Sequence, residues 1–377
     1  MGEQRVAVIM RYGLNRDSWR RRFEAGEVVD AAPYGYQLAD EHFTLGWSVD
    51  HGENVVAGWW RSAVRHALGF DLVHVWRNRA LLRDADAVWT HTEREHLAVA
   101  AIKALRPSRY RFRSIAQSVW LWDLWPTLSR PRKALFRRLL RRHDVELVLS
   151  RVNRDVSRSA VPDRTVVRVP FGTHLATPRA ADAAAAPTPR VLVVGNDRHR
   201  DWGLMTEVAR LLPDVDFDVI TRADTVRELP WPANAEVRGV TQTEILTNAY
   251  SEASVVAVPL LPNRHASGCT VAIEGVSAGL PVVASDTGGI DEYVDGATST
   301  LVPVGDAEAF AAAIRRHLVA TEHPDAAVAA RRGLSEHDYI DRLVSVTRSL
   351  LSGERIDPAV ERFAPVPQID AGREPSA

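Results

Sequence analysis

The sequence predicts an α/β protein with two doubly wound, Rossmann-like domains that face a cleft. The chain of 377 residues is too long for one ordinary hydrophobic core. Each half opens with an apolar strand signal and a glycine loop, at 5–10 before Gly13 and at 190–194 before Gly195. Short apolar segments then alternate with helix-sized ones, which is typical of parallel sheets covered by helices. Such sheets bind ligands beyond the carboxyl ends of their strands, so we expect one interdomain cleft.

Apolar runs and their spacing predict the individual elements. In the first half, strands are expected at 71–75, 87–90, 112–116, 146–149 and 165–169. In the second half, helices are expected at 202–212, 242–252 and 270–278, and strands at 217–221, 254–258 and 281–284. The predicted boundaries are 1–175 for the first domain, 176–189 for a proline- and alanine-rich linker, 190–334 for the second domain, 335–352 for a C-terminal helix, and 353–377 for a proline-rich disordered tail.

Composition limits the class of protein. A hydrophobic content of 46% and a charged content of 25% are those of a soluble globular protein. Apolar runs such as 255–261 are far shorter than a membrane span, and the N-terminus lacks the pattern of a signal peptide, so we expect a cytoplasmic location. One cysteine, Cys269, excludes an internal disulfide and a thiolate metal cluster.

Charge is divided unequally between the halves. Residues 1–170 contain 29 basic and 19 acidic side chains, whereas residues 171–377 contain 18 and 29. The basic half indicates either an anionic partner or the surface of an arginine-rich protein. Its segment 129–143 is an amphipathic basic helix that suits the inner face of a membrane or, as we favour, packing of Leu135, Phe136, Leu139 and Leu140 on a sheet.

The segment 264–293 carries the clearest chemical signal. A small-residue loop at 266–268 precedes a short helix with Glu274, and Gly288-Gly289 is expected to open another helix. Free backbone amides and the helix dipole at a helix start attract phosphate. A carboxylate one turn later is suited to sugar hydroxyls, which donate hydrogen bonds. A nucleotide sugar has both parts.

Three motifs carry a resemblance to a known family: I-E-G-V-S-A-G-L-P-V-V-A-S-D-T-G-G from Ile273, Ser150 and Asn153 followed by V-P-F-G at 169–172, and V-V-G-N-D-R-H-R-D-W at 193–202. The chain resembles GT-B glycosyltransferases, in particular the retaining family-4 type. The resemblance implies a hexosyltransferase-type enzyme whose second domain holds the nucleotide sugar and whose first domain holds a hydroxyl acceptor. It also implies same-face transfer assisted by the leaving phosphate oxygen, with no cofactor.

The resemblance assigns roles to particular positions. Glu274 matches the ribose-binding glutamate, and Arg200 matches the basic residue that neutralises the diphosphate. Ala266 and Asn196 depart from the pattern, because they stand where the family has a carboxylate and an arginine. The residues expected at the donor are Gly13, Arg200, Arg222, Arg264, Gly268, Cys269, Thr270, Val271 and Glu274, and those expected to be catalytic are His91 and Gln117.

Several alternatives remain open at this stage. The chain can be read as a catalytically degenerate GT-B protein that binds an anionic membrane or nucleic acid through its basic half, although no nucleic acid is expected for the enzyme. On the same fold it can be read as a nucleotide-sugar epimerase. Two D-x-D patterns, at 84–86 and at 214–218, look like strand-entry acids, so we expect no catalytic metal. Trp120, Trp122 and Trp125 form either a stacking platform with Trp59-Trp60 or part of the core.

Overall fold

In a computed structural model, which describes residues 4–176, 188–240 and 242–365, the chain forms two six-stranded parallel sheets. The strand orders are β2-β1-β3-β4-β5-β6 and β12-β11-β10-β7-β8-β9. The strands of the first sheet are β1 (Arg5–Ile9), β2 (Thr44–Trp47), β3 (Ala87–Thr90), β4 (Arg113–Gln117), β5 (Val145–Val148) and β6 (Val166–Arg168). Those of the second are β7 (Arg190–Val194), β8 (Asp216–Ile220), β9 (Ala235–Arg238), β10 (Val255–Val258), β11 (Val282–Ser285) and β12 (Thr300–Val302).

Helices connect the strands and cover both faces of each sheet. The first half contains α1 (Arg16–Glu24), α2 (Val55–Leu68), α3 (Leu72–Arg77), α4 (Arg79–Arg83), α5 (Glu93–Leu105), α6 (Leu121–Leu124), α7 (Arg130–Leu140) and α8 (Arg151–Ala160). The second contains α9 (Trp202–Leu211), α10 (Asp224–Arg227), α11 (Thr243–Glu252), α12 (Cys269–Ser277), α13 (Ala307–Val319), α14 (Val328–Arg331) and α15 (Glu336–Ser352). Short 3-10 helices lie at Pro33–Glu41, Trp125–Thr127, Ile290–Glu292 and Pro358–Glu361. This arrangement confirms the predicted α/β class with two doubly wound sheets.

The central strands were predictable because they are buried on both faces. Every residue of β3, β5, β10 and β11 is buried, which matches the continuous apolar runs of a parallel sheet. The edge strands β2, β9 and β12 are partly exposed and were missed, since their mixed composition resembles that of loops.

The strand predicted at 71–75 is wrong, because this segment begins α3. The Asp71 side chain accepts a hydrogen bond from the backbone N–H of His74, at 3.2 Å, and so caps the helix. The alternation of Val73 and Val75 fits a strand, but His74 is equally buried. The tertiary environment therefore overrides the local pattern.

The C-terminal helix α15 crosses back to the first sheet. Its buried residues Tyr339, Ile340 and Leu343 pack in one cluster with residues of β1 and β4, including Val8 and Ile115. A capping box formed by Ser335 and Asp338 starts the helix. The chain leaves the first domain at Gly172, where a β-carbon would overlap the Ser335 carbonyl group. Close crossing of the two segments explains the glycine in V-P-F-G.

The predicted disorder of 353–377 is wrong for residues 353–365. This segment folds over the first domain, with Val360 buried and Phe363 packed beside Tyr293. It also supplies backbone carbonyls to the fully buried Arg342, whose guanidinium donates to Arg362 at 3.2 Å and to Ala364 at 2.9 Å. The proline-rich composition of the segment is typical of disorder and gives no indication of these contacts. Residues 366–377, and 177–187 of the predicted linker, lie outside the described residues.

Ending the chain at residue 353 should therefore destabilise the protein. The Arg342 guanidinium would lose two carbonyl partners while staying buried, which costs about 2 kcal/mol or more. We expect a fall of roughly 5 °C in the thermal midpoint. A chain ending at residue 365 retains every one of these contacts and is the control; equal midpoints for the two truncations would show that 354–365 contributes nothing.

Candidate functional site

The two domains meet through loops at the carboxyl ends of both sheets. The Ser150 hydroxyl donates to the Arg264 carbonyl at 2.9 Å, and the Arg151 amide donates to Glu292 at 2.7 Å. Arg168, at the end of β6, forms an ion pair with the same Glu292 at 2.6 Å. These contacts leave the loops after β1, β3, β4, β7 and β10 facing one cleft, as expected for this topology.

Arg200 lies in this cleft as a buried cation. Its side chain donates to the Val194 carbonyl at 3.2 Å and to the Ser267 hydroxyl at 3.3 Å. A β-carbon at either Gly195 or Gly268 would overlap this side chain. Within the described residues, no carboxylate forms an ion pair with it, and burial lowers the pKa of its guanidinium. A buried charge without a partner is costly, so the position suits an anion.

The start of α12 supplies further positive character beside Arg200. Gly268 occupies the N-cap with φ at 83°, and no side chain caps the helix. The first amides of α12, which include those of Thr270 and Val271, are therefore not used by a capping group. Ala266 also has a positive φ of 52°, which is a strained conformation. It is held by the hydrogen bond that the Ala266 amide donates to the Gly288 carbonyl at 2.9 Å. Such helix starts favour phosphate.

Glu274 lies one turn into α12, as the sequence predicted. One carboxylate oxygen accepts a hydrogen bond from the Tyr250 hydroxyl at 2.6 Å. Burial raises the pKa of Glu274 to about 7, so the group is close to half ionised at neutral pH. Cys269, at the first position of α12, is also buried, and burial raises the pKa of its thiol to about 12. Cys269 is thus not a nucleophile, because the thiol is protonated at neutral pH.

A chain of polar and charged side chains, which the sequence did not predict, crosses the cleft. His265 Nδ1 lies 2.5 Å from an Asp123 oxygen of the first domain, and His265 Nε2 lies 3.2 Å from an Asp197 oxygen of the second. Ser267 donates to the same Asp197 oxygen at 3.1 Å and accepts from Arg200. Burial opposes a charge on His265, but the hydrogen bonds to both aspartates outweigh it and raise the pKa of the imidazole. His265 thus joins the two domains, with each ring nitrogen facing a carboxylate oxygen.

The same cluster includes atoms that can hold a metal ion. Ligand atoms of Asp123, His199 and His265 lie within 4.8 Å of one another. Both nitrogens of His265 already contact carboxylate oxygens, however, so the ring would have to give up one of these contacts to coordinate a metal. The two D-x-D patterns have structural partners instead, since Asp86 accepts from the Arg5 amide and Asp218 pairs with Arg238 on β9. The prediction that no metal takes part stays a prediction.

The two residues predicted to be catalytic belong to one buried network in the first domain. His91, at the end of β3, stacks on Tyr34 at 3.6 Å, and its Nδ1 lies 2.8 Å from the Tyr36 hydroxyl. Tyr339 on α15 lies in the same buried cluster as Tyr36, and its hydroxyl donates to Gln117 Oε1 at the end of β4. Burial lowers the pKa of His91 to about 3, so its ring is neutral. Gln117 Nε2 is buried and has no partner among the described residues.

The remaining candidates are distributed around the cleft. The Gly13 amide donates to Asp50 at 3.0 Å in an exposed loop. Arg222 is exposed beside a cavity of about 90 Å³ after β7 and β8, whose lining includes Glu27 of the first domain, Asn196, Thr221 and Leu246. Arg264 does not lie free for a phosphate, because its guanidinium donates to the Trp122 carbonyl at 3.0 Å.

Gly288 and Gly289 open a shorter helix than the sequence predicted. The 3-10 helix that follows, Ile290–Glu292, is one turn and not an α-helix. A β-carbon at Gly288 would overlap the Asn263 side chain of the same domain, and one at Gly289 would overlap Ser150 of the first domain. The two glycines therefore permit close packing, Gly288 within the second domain and Gly289 at the domain interface.

Comparison with known proteins agrees with this arrangement. Residues 188–319 match the family model of glycosyl transferases group 1. This match covers the second domain, and the chain as a whole has the GT-B fold. No curated protein has a sequence that matches the chain.

Solved structures share the fold of this chain along nearly its whole length. Sucrose-phosphate synthase from Thermosynechococcus elongatus is 18% identical, covers 93% of this chain and 100% of its own, and has a TM-score of 0.71. The Anabaena protein HepE in complex with UDP-glucose is 12% identical over 92% and 99% of the chains, with a TM-score of 0.65. AviGT4, a glycosyltransferase of avilamycin A biosynthesis, is 14% identical over 93% and 98%, with a TM-score of 0.54. At these identities the likeness concerns the fold.

Burial bears on two other sequence-based alternatives. In the basic helix α7, Phe136, Leu139 and Leu140 are buried and pack on the core of the first domain, whereas Leu135 is 37% exposed and several arginines of the helix face solvent. Trp122 and Trp125 are buried too, and the Trp122 indole donates to Glu146 at 2.9 Å, so these rings belong to the core. Within residues 4–176, 188–240 and 242–365, every helix is too short or too polar to cross a bilayer.

Replacing Glu274 with glutamine should change how the stability of the protein depends on pH. The folded protein binds a proton at Glu274 up to about pH 7, whereas the unfolded chain loses it near pH 4.5. The free energy of unfolding of the natural protein should therefore fall, relative to Glu274→Gln, as pH rises from 4.5 to 7. By pH 8 the difference is at most about 3 kcal/mol in favour of the variant.

Denaturant unfolding at pH 4.5, 6 and 8 measures this difference. Glu244→Gln, on the exposed side of α11, is the matched control and should follow the natural protein at every pH. A constant offset between Glu274→Gln and the natural protein would contradict the raised pKa.

Proposed function

We propose that the protein is a retaining, metal-independent glycosyltransferase that moves a sugar from a nucleoside diphosphate donor to an acceptor hydroxyl. The observation that carries this proposal is the buried guanidinium of Arg200, which has no carboxylate partner among the described residues and lies between two glycine loops. A diphosphate placed there would neutralise it and accept hydrogen bonds from the first amides of α12. Gly268, Cys269, Thr270 and Val271 are the donor-binding segment in this proposal.

The rest of the donor follows from this placement. Glu274, on the same helix, is proposed to accept hydrogen bonds from the ribose hydroxyls, because the Tyr250 hydroxyl occupies only one of its two carboxylate oxygens. The base is proposed to enter the cavity beside Asn196, Thr221 and Arg222. HepE binds UDP-glucose and UDP, so a uridine nucleotide is the first donor to test.

Catalysis in this proposal depends on placement and positive charge. Arg200 and the α12 amides would stabilise the charge that develops on the leaving diphosphate. The phosphate oxygen itself would take the acceptor proton, so no carboxylate pair is needed. His91 is neutral and Gln117 has an unused N–H group, so both are proposed to orient hydroxyls of the reacting sugars. The acceptor is proposed to be a glycan, a lipid-linked sugar or a small natural product, held by the first domain.

Nucleotides should stabilise the protein against heat if the donor site is as proposed. A ligand at about 100 times its dissociation constant adds roughly 2.7 kcal/mol, which is a measurable shift of the midpoint. We expect one of UDP, GDP, ADP and TDP to give this shift. Arg200→Gln should abolish the shift without lowering the midpoint of the free protein, because the variant removes a buried unpaired charge.

Arg210→Ala is the matched control, since Arg210 lies on α9 but is exposed. Its response to nucleotide should equal that of the natural protein. No response to any nucleotide in the natural protein would favour the degenerate, binding-only alternative. Conversion of the donor sugar without transfer to an acceptor would favour the epimerase.

Stereochemistry and metal dependence form a separate test. The glycoside product should retain the anomeric configuration of the donor, as read by proton NMR coupling constants. Turnover should be unchanged by EDTA, since Arg200 and the helix amides supply the positive charge. A different result would assign a metal to the cluster of Asp123, His199 and His265. In that case EDTA would abolish turnover, a divalent ion would restore it, and the divalent ion would have no effect on His199→Ala.

A further inference from the structure

An exposed apolar surface on α2 has no role in the nucleotide site. Val55 is 90% exposed, Val56 73%, Trp59 70% and Trp60 58%. These residues occupy positions i, i+1, i+4 and i+5, so they lie on one face of the helix. No residue of α2 is buried. We call these four residues the α2 patch.

The α2 patch differs from ordinary scattered surface apolar residues. Other large exposed side chains, such as Val319 at 83% and Leu105 at 69%, are single on their helices. Tryptophan is a costly residue to expose and favours boundaries between apolar and aqueous phases. Trp76 on α3, which is 37% exposed, lies on a helix packed against α2. A contiguous patch of this kind indicates a binding surface.

Charge around the patch indicates what the surface meets. The acids nearest α2 are neutralised, because Glu53 pairs with Arg61 at 2.9 Å and Asp71 pairs with the same arginine at 2.6 Å. Asp50 accepts hydrogen bonds from the Asn15 side chain and the Gly13 amide. Two of these three acids are therefore paired with a cation, and the carboxylate of the third is held by neutral hydrogen-bond donors.

The basic helix α7 begins at the C-terminal end of α2. Arg132 donates to the carbonyls of His66 at 3.1 Å and Ala67 at 2.8 Å, two exposed residues that continue the face of the α2 patch. The segment 129–143 contains seven arginine and lysine residues and no acid. Its exposed cations without an ion pair in the described residues are Arg130, Arg138, Arg141 and Arg142.

We propose that α2 and α7 form a membrane-docking surface for a bilayer that contains anionic lipid. The α2 patch enters the interfacial region, with its tryptophans at the level of the headgroups, and the arginines of α7 meet lipid phosphates. An apolar helix beside a cationic one is the combination that interfacial binding requires, because either signal alone gives weak, reversible attachment. The surface belongs to the domain that the proposed function assigns to the acceptor, so docking would bring a lipid-linked acceptor to the cleft. Binding itself does not depend on catalysis.

Vesicle flotation tests the proposal with the full chain. We expect binding to vesicles of phosphatidylcholine with 30% phosphatidylglycerol, roughly in the range of anionic membranes, and little binding to phosphatidylcholine alone. The double variant Trp59→Ser, Trp60→Ser should weaken binding at least about tenfold, since both rings leave the interface. These rings are exposed, so the variant should keep its thermal midpoint and its response to nucleotide.

Two matched variants separate the apolar and the cationic contributions. Val319→Ser, on the second domain, removes an equally exposed apolar side chain and should bind as the natural protein does. The double variant Arg138→Gln, Arg142→Gln should lower binding to anionic vesicles and reduce its dependence on salt.

Equal binding by the natural protein and the Trp59→Ser, Trp60→Ser variant would overturn the proposal. So would a dimer in size-exclusion chromatography with light scattering that this variant converts to a monomer, because the patch would then join two copies of the chain. Failure of vesicle binding with an intact nucleotide shift would reject membrane docking and leave the proposed glycosyl transfer standing.

Discussion

The buried positive charge of Arg200 determines the arrangement of the second domain around the cleft. Gly195 and Gly268 lack side chains where any β-carbon would overlap the guanidinium. Ser267 accepts from Arg200 and donates to Asp197, while Asp197 contacts His265 and His199 instead of pairing with the arginine. The nearest acid is thus occupied by imidazoles, and the guanidinium has no carboxylate partner among the described residues. An arginine at a helix start is otherwise unfavourable, since it faces the positive end of the dipole.

The cleft also depends on contacts that cross between domains far apart in sequence. His265 of the second domain joins Asp123 of the first domain to Asp197 of the second, and Tyr293 of the second domain accepts from the Phe171 amide at 3.1 Å and donates to the Leu149 carbonyl. In both cases a side chain of the second domain completes a polar network with the first. Relative motion of the domains would break these hydrogen bonds, so the relative position of the two domains is coupled to the state of these networks.

The sequence predicted the structural features that depend on a local pattern of residues. It did not predict those that depend on contacts between residues far apart in the chain. The buried central strands were predictable, because short continuous apolar runs are typical of parallel strands covered on both faces. The α12 loop was predictable, because glycine at a helix start permits close approach of an anion. The strand predicted at 71–75 failed because Asp71 caps a helix, and the tail after residue 353 was misjudged because Arg342 needs its carbonyls. His265 was missed since its partners lie 142 and 68 residues away.

The division of charge between the two halves is explained by position rather than by the nucleotide. Of the 29 basic side chains in residues 1–170, seven lie in the segment 129–143, which has no acid. This segment belongs to the outer helix α7 and not to the cleft, where the cations Arg200, Arg264 and His265 come from the second, acidic half. This part of the positive charge therefore lies away from the cleft in which the diphosphate is proposed to bind. It lies beside the exposed tryptophans of α2, where an apolar surface of the first domain faces solvent. This proximity of basic and apolar side chains gives a physical reason for the basic composition of the first half.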